Sequence, residues 1–350
     1  MMRVRNGGTA DVDAVIRLLE EEGAAGHLAG MTSLRPDPDF IAGRLAASEE
    51  AFATDEPPTD QELDYLFLLE DGDRVIGLAA IIANVGVTDP FYSYRIGTTV
   101  HASRRLGVFG RFQTLHLCND FTGATEMASL FLHHDHHGSG AGRLLSLSRM
   151  LYLAEHPERF DELVFAEMRG FQEDDGSSPF WEGLGRRFIS IPFPAAVRRV
   201  GEGKKAFIAE LMPRHPIYAD MLPESAQAAI GRVHPSTEPA HHLLEAEGFW
   251  NRGYVDIFDG GPTIEARLPD IRAVYESMEV TIRPGDRAAD DDPIIVATRS
   301  AHEFRAVFID QYEVEHSDVL VAGPHVLAAL EVDDRADVRI TPARPGLPVL

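Results

Sequence analysis

The sequence predicts an α+β fold. A mixed sheet flanked by helices fills residues 1–275, and a small, mostly β module follows over residues 276–350. Three observations predict it. First, an apolar run at 128–132 ends in the turn Gly138-Ser139-Gly140-Ala141-Gly142, and Leu144, Leu145, Leu147 and Met150 follow at helical spacing. That pattern reads as strand, glycine loop and helix. Second, the apolar runs 65–70 and 75–84 flank Asp71-Gly72-Asp73, a hairpin signal. Third, the chain turns to short β-like runs from about residue 280.

In chain order, Arg3, Val4 and Arg5 read as an extended start. Thr9 and Asp11 can cap a helix whose apolar positions are Val12, Val15, Ile16, Leu18 and Leu19. A second helical pattern covers 40–52, and residues 54–60 (TDEPPTD) form a polar loop before the hairpin. Residues 85–125 are rich in aromatics and turns and carry no clear period. After the glycine loop and its helix, 162–168 reads as a strand and 178–188 as a short helix stopped by Gly185. Residues 237–249 carry Thr237 as N-cap, Pro239 in the first turn and Gly248 as the stop. A strand over 254–258 precedes the turn Asp259-Gly260-Gly261-Pro262. Segments 178–188 and 237–249 share a helix–Gly–Phe shape, which predicts a duplicated or elaborated core. In the C-terminal module the β-like runs are 280–282, 294–297, 306–309 and 338–340. Asp290, Asp291 and Asp292 make an acidic turn, and 327–330 a helical turn.

Composition narrows the class. The chain has 350 residues, enough for one large domain or two ordinary ones. No apolar run approaches the ~20 residues of a membrane span, and the start MMRVRNGGTADVDAV lacks a signal-peptide core. The single cysteine, Cys118, excludes an internal disulfide and a cysteine-based metal site. Together these point to the cytoplasm. A net charge of −24 argues against nucleic acid as a partner, because a phosphate backbone needs a basic face. An acidic surface favours a cationic substrate, or serves solubility alone.

The glycine loop exposes backbone N–H groups at a helix N-terminus, a ready site for a pyrophosphate. It is neither a dinucleotide fingerprint, which wants G-x-G-x-x-G, nor a P-loop, because Arg143-Leu144 stands where Lys-Ser/Thr would. Read by itself it is equally a plain Gly-rich turn. It resembles the acyl-CoA loop of the GNAT acetyltransferases, (Gln/Arg)-x-x-Gly-x-(Gly/Ala), with His137 in the first position.

Longer stretches resemble one family within that superfamily. They are NVGVTDPFYSYRIGTTVHAS (84–103), SLFLHHDHHGSGAGRLLSLSR (129–149), VFAEMRG (164–170), SPFWEGLGRRF (178–188), KKAFIAELMPRHPIY (204–218), GRVHPSTEPA (231–240) and YVDIFDGGPTIEA (254–266). All are similar to the arginine N-succinyltransferases, over residues 1 to about 340. The resemblance implies an elaborated GNAT-type core and the reaction of succinyl-CoA with L-arginine to give CoA and N2-succinyl-L-arginine. It makes succinyl-CoA a co-substrate and implies no permanently bound cofactor and no metal. It places the catalytic proton donor at His234, in V-H-P, and a succinyl-CoA contact at Leu130. Gly140 and Gly142 keep the family's G-x-G, with Ser139 between Gly138 and Gly140 in the same loop. The family often has a basic residue at the position of His137 and Lys at that of Gly138, a departure that bears on CoA affinity. The resemblance also implies a homo-oligomer or a complex with a paralogous subunit; it leaves ornithine or another basic amino acid as an alternative amine, and a weakly catalytic acyl-CoA-binding partner subunit of a paralogue as an alternative role.

The residues allow that chemistry. The α-ammonium must lose a proton and the CoA thiolate must gain one, and a histidine near neutral pKa serves either step. His234 precedes the helix at Thr237, whose positive end disfavours imidazolium. By itself it reads first as a loop histidine that orders its turn through its ring nitrogens. The strand before the loop would polarise the thioester through main-chain groups at Leu130. Arginine needs a carboxylate fork for its guanidinium, with Asp89, Glu126 and Asp259 as candidates, and a cation for its carboxylate, with Arg95 as candidate. The succinyl carboxylate would meet Arg169 or Lys205. The histidines His133, His134, His136 and His137 look like a metal cluster but flank the loop without a matching ligand set elsewhere, and read as structural. His241 and His242 read as surface or packing residues, and Cys118 as a buried structural thiol.

Overall fold

A computed structural model describes residues 1–24, 34–201, 210–285, 292–316 and 318–346. It is an α+β architecture built on one continuous 16-stranded mixed sheet. The first strand, β1 (Met2–Asn6), leads to helices α1 (Val12–Ala24) and α2 (Pro38–Ala53), then to β2 (Leu63–Asp71) and β3 (Arg74–Ala83). β2 and β3 pair antiparallel across Gly72, which takes φ 61° as an Asp-Gly turn requires. The centre of the fold is β6 (Thr125–Leu132), the glycine loop, α3 (Ala141–Glu155) and β7 (Leu163–Glu167). α3 is buried almost all round, which explains its unbroken apolar run. Its Tyr152 packs edge-on against Phe52, Phe67 and Phe304.

The turn-rich region 85–125 holds a long antiparallel ribbon, β4 (Ser93–Ser103) with β5 (Val108–Cys118). Most of its side chains are not buried, so it lacks the alternation by which a half-buried strand is read. The 178–188 helix is split at Leu184 into α4 (Pro179–Gly183) and α5 (Gly185–Phe188). Both its glycines allow close approach: a Cβ at Gly183 would lie 2.4 Å from the Ala226 Cβ, and one at Gly185 would lie 2.3 Å from the Trp181 ring. Next come α6 (Phe193–Gly201), the two-residue β8 (Ile217–Tyr218) and α7 (Glu224–Ala229). The 237–249 helix is α8 (Glu238–Ala246). Thr237 makes no side-chain cap; a 3-10 turn, Pro235–Thr237, comes first, and His234 caps it. Phe180 and Trp181 belong to one core and Leu244 and Phe249 to another, so the two helix–Gly–Phe segments occupy different places. β9 (Trp250–Asp256) starts earlier than the sequence suggests, and β10 (Pro262–Arg267) follows.

A short helix, α9 (Arg272–Tyr275), leads to β11 (Met278–Pro284), β12 (Ile294–Thr298), β13 (Arg305–Ile309), β14 (Tyr312–Glu315), β15 (Val319–Ala322), α10 (Pro324–Leu330) and β16 (Asp337–Pro342). These strands enclose a core of their own around Val280, Ile282, Val307 and Leu320. They also continue the main sheet, because β13 pairs antiparallel with β1. Asp290 and Asp291 of the acidic turn lie outside the described residues.

Two features of the sheet make the site. β6 and β7 run parallel but pair only at Thr125↔Val164 and Glu126↔Phe165, then part. On its other side β6 carries a bulge: Leu78 pairs Phe131 and Ala80 pairs Ala128, so Ser129 and Leu130 stand opposite Ala79 alone. Ser129 takes φ 54° there.

Candidate active site

A cleft of ≈ 1910 Å³ opens where β6 and β7 part, and Leu130, Gly140, Gly142 and His234 all line it. The bulge takes main-chain groups at Ser129 and Leu130 out of regular pairing, and both residues line the cleft. Below the bulge lies Arg149, 1% exposed. Its Nη1 donates to the carbonyls of Ala80 (3.0 Å) and Ala128 (3.1 Å), one on each strand of the bulged pair. Burial pushes its guanidinium down to about 9.

The glycine loop turns at Gly138 (φ 78°) and Gly140 (φ 90°), both left-handed and both with open space where a Cβ would go. Backbone conformation, not crowding, selects glycine there. The first turn of α3 then offers N–H groups without intrahelical partners. Ser139 is exposed and bonds to the loop itself: its hydroxyl donates to the His136 carbonyl (2.7 Å) and accepts from the Ala141 N–H (3.3 Å). It orders the loop and is absent from the cleft lining. Arg143 and Arg344 also line the cleft, and burial, then the Arg344 charge, lower the Arg143 guanidinium's pKa. Arg344 and Phe308 come from the C-terminal strands and the segment after them, so this part of the chain completes the cleft wall. Nothing in the sequence around Arg344 marks its place beside Arg143, 201 positions earlier.

His234 is set by its neighbours. Its N–H donates to the Arg169 carbonyl (2.8 Å), and its carbonyl accepts from the Thr237 N–H (2.9 Å). The ring Nδ1 accepts from the Ser236 N–H (3.1 Å) and lies 2.7 Å from the Ser236 hydroxyl. That leaves Nε2 without a protein partner among the described residues. Burial, and then the Arg169 charge, hold the imidazole below the ordinary histidine value. The neutral ring therefore prevails at pH 7. With Nδ1 accepting from the Ser236 N–H the neutral ring carries its proton on Nε2; with the proton on Nδ1 instead, Nδ1 donates to the Ser236 hydroxyl and the Nε2 lone pair is free.

Arg169 lines the same cleft. Its Nη2 donates to Gln172 (2.7 Å), its buried Nε has no partner, and it makes no ion pair among the described residues. Of the guanidinium candidates, Asp89, Glu126 and Asp259 all line the cleft. Asp259 is already engaged: it accepts from the Gly170 N–H (2.8 Å) and the Gly261 N–H (2.9 Å). Burial and neighbouring Asp256 raise it well above the usual carboxylate range. It ties two crossing segments together, where a Cβ on Gly170 would come within 2.5 Å of its oxygen. Glu126 shares its field with Arg44, whose charge it stabilises. Asp89 is exposed at the rim, as are Glu173 and Asp174, which the sequence reading did not single out.

Arg95 does not reach the cleft. It lies on the outer face of β4, 62% exposed, 4.0 Å from Asp120 and over the Tyr254 ring. Lys205 lies outside the described residues. Cys118 ends β5, its thiol donating to the Ser93 carbonyl (3.5 Å) and raised by burial. His133 and His134 stack and face the buried Glu22, which accepts from His134 Nδ1 at 2.7 Å. The Arg74 guanidinium stands 3.2 Å from His133 Nε2 and competes with any cation there. His137 Nε2 reaches the Leu132 carbonyl (3.2 Å), pinning the loop to β6. His241 faces Glu245 at 3.5 Å along α8.

Comparison with known proteins gives this cleft its family. Residues 2–273 match the AstA family model, arginine N-succinyltransferase beta subunit. The arginine N-succinyltransferase of Citrobacter koseri is 45% identical over 312 residues, 88% of this chain and 89% of that protein. The arginine N-succinyltransferase subunit beta of Pseudomonas aeruginosa is 42% identical over 342 residues, covering 97% and 98%. The solved structure of arginine/ornithine succinyltransferase subunit AI from Pseudomonas aeruginosa superposes with a TM-score of 0.87 at 34% identity, over 98% of this chain and 99% of that one. The match runs through every segment that lines the cleft up to residue 273, and the chain belongs to the arginine N-succinyltransferase family.

Proposed function

We propose that this chain transfers the succinyl group of succinyl-CoA to the α-amine of L-arginine, releasing CoA and N2-succinyl-L-arginine, in the cytoplasm. One observation carries the reading beyond family membership. A single cleft joins a helix N-terminus with free N–H groups, a bulged strand, a histidine held neutral and an arginine that makes no ion pair among the described residues. The pyrophosphate lies on the N–H groups of the glycine loop, beside Arg143 and Arg344. The pantetheine arm enters where β6 and β7 part, and a main-chain N–H near Leu130 receives the carbonyl oxygen as it becomes an oxyanion. The α-amine attacks the thioester carbon, forming the C–N bond. In the tautomer whose Nδ1–H donates to the Ser236 hydroxyl, His234 Nε2 takes the proton from the amine nitrogen, the C–S bond breaks, and Nε2 returns the proton to the departing sulfur. Arg169, beside His234, receives a substrate carboxylate. Exposed Asp89, Glu173 and Asp174 give the rim the negative charge that suits a guanidinium. The chemistry needs no permanently bound cofactor, and the chain works as a homo-oligomer or with a paralogous subunit.

Release of CoA thiol by the purified chain tests this. Succinyl-CoA with L-arginine is expected to give release, while acetyl-CoA with L-arginine gives little. L-Ornithine belongs in the same assay, because the solved relative's name covers both amines. No release from any pair by a folded protein would overturn the reading.

Two substitutions probe the geometry. Ser236→Ala removes one partner of a ring that becomes charged in turnover. It is expected to lower kcat by about 10-fold, the worth of one such hydrogen bond, and to leave the KM values near those of wild type. An unchanged kcat would show that the hydroxyl does not hold the ring. Arg169→Gln should lower kcat/KM by roughly 10–100-fold through loss of a charge-assisted bond. It should also raise the pH at which His234 titrates, since the arginine charge helps hold the imidazole low. A pH profile unmoved by Arg169→Gln would contradict this.

A further inference from the structure

The β4–β5 ribbon leaves the body of the protein. β4 pairs with β9 only over Ser93, Tyr94 and Arg95, and β5 pairs with β8 only at Thr114 and Leu115. From Ile96 to Ser103 each residue of β4 pairs with β5 alone. Eight residues at roughly 3.3 Å each give an arm of about 26 Å. A two-stranded ribbon is at best marginally stable in water by itself. This one nonetheless exposes Val100 (53%), Leu106 (75%), Val108 (58%) and Phe109 (69%), and Met221 (82%) lines the same groove as Val108. One face forms an apolar groove of ≈ 360 Å³, backed by Phe112, His101 and Tyr218, with the His101 ring 2.9 Å from the Tyr218 hydroxyl. On the opposite face Phe109 stands across from Ala102, and Val100 across from Arg111.

Charge indicates what covers it. Residues 93–118 hold four arginines (Arg95, Arg104, Arg105 and Arg111) and none of the chain's 56 acidic residues. Everything outside the ribbon is therefore even more acidic than the net charge of −24 suggests. We propose that the ribbon is a self-association arm that lies on the acidic body of a second copy of this chain. Exchanged reciprocally, two arms give a closed pair with two identical contacts. Arm against arm would bring the arginines together, so the fitting surface is the body. The apolar side chains then bury at the centre and the arginines meet acids at the rim. A nucleic acid would also attract a basic aromatic arm, but the acidic body would repel it.

Sedimentation of the full chain over about 1–100 µM, the range in which weak and tight association separate, tests the proposal. The wild type is expected to be a dimer or an assembly built from dimers. Phe109→Asp combined with Val100→Ser, and separately Arg104→Glu with Arg105→Glu and Arg111→Glu, should each weaken self-association by at least about 30-fold. Circular dichroism and thermal melting near those of wild type would show that the variants fold. Added salt should weaken association of the wild type. A wild-type chain monomeric throughout, including one that associates only with a different subunit, would overturn the proposal. So would an assembly that persists in both folded variants.

Discussion

Replacing His234 with Ala is expected to lower kcat by about 10²–10⁴-fold, the range for loss of a positioned proton-transfer group. Among the described residues the side chain bonds only to Ser236 two residues on, so the fold should survive and the melting temperature should move little. The glycine loop proposed to hold succinyl-CoA lies elsewhere in the cleft, so the KM for succinyl-CoA should stay near the wild-type value. The pH profile gives the sign of the effect. Burial and Arg169 lower the ring's pKa, so the neutral form that accepts a proton dominates at pH 7. Activity should fall only as pH drops through a value below the ordinary ~6.5 of histidine, and this acid limb should vanish in His234→Ala. A variant with wild-type kcat, or one keeping the same limb, would assign the proton transfer to another group.

Arg149→Ala should produce the largest loss of stability, about 3–5 kcal/mol, as for truncation of a large buried side chain. The side chain is wholly enclosed, and the carbonyls of Ala80 and Ala128 lose a donor with it. An unsatisfied buried carbonyl adds roughly 1–3 kcal/mol to the cost. Relief from burying a cation offsets part of this, because burial already lowers the guanidinium's pKa. The bulge at Ser129 and Leu130 is the element Arg149 supports, so succinyl-CoA affinity should fall along with stability. Chemical denaturation reads the first effect and thiol-release kinetics the second. A loss of stability under about 1 kcal/mol would show that the bulge holds without this arginine.

The strand, loop and helix at the centre were legible because three local signals agree there: an apolar run, clustered glycines and an apolar helix pattern. The 65–84 hairpin was legible for the same reason. The β4–β5 ribbon was not, since strand signals depend on one buried face and the ribbon buries few side chains. The cap of α8 was misplaced because Thr237 has the right chemistry, whereas the turn actually begins at Pro235 behind His234. At the site, Arg169 lies beside His234, but Arg95 faces outward. Both are arginines in family-like segments, and only the register of β4 separates them. Arg149 left one trace, a lone cation within LLSLSRMLYLA, an otherwise apolar and small-residue helix. That Asp259 holds two backbone N–H groups, and is not a free fork for a guanidinium, follows from a crossing of distant segments that no local pattern records.

The central claim is that succinyl-CoA enters where β6 and β7 part and meets His234 at its thioester. A crystal structure with L-arginine and a non-hydrolysable thioether analogue of succinyl-CoA tests it most directly, through the distance from the analogue's sulfur to His234 Nε2. The account predicts hydrogen-bond reach, about 3–3.5 Å, with the pyrophosphate on the glycine-loop N–H groups and a carboxylate on Arg169. An analogue bound outside the cleft, or seated in it with the sulfur far from His234, would contradict the account.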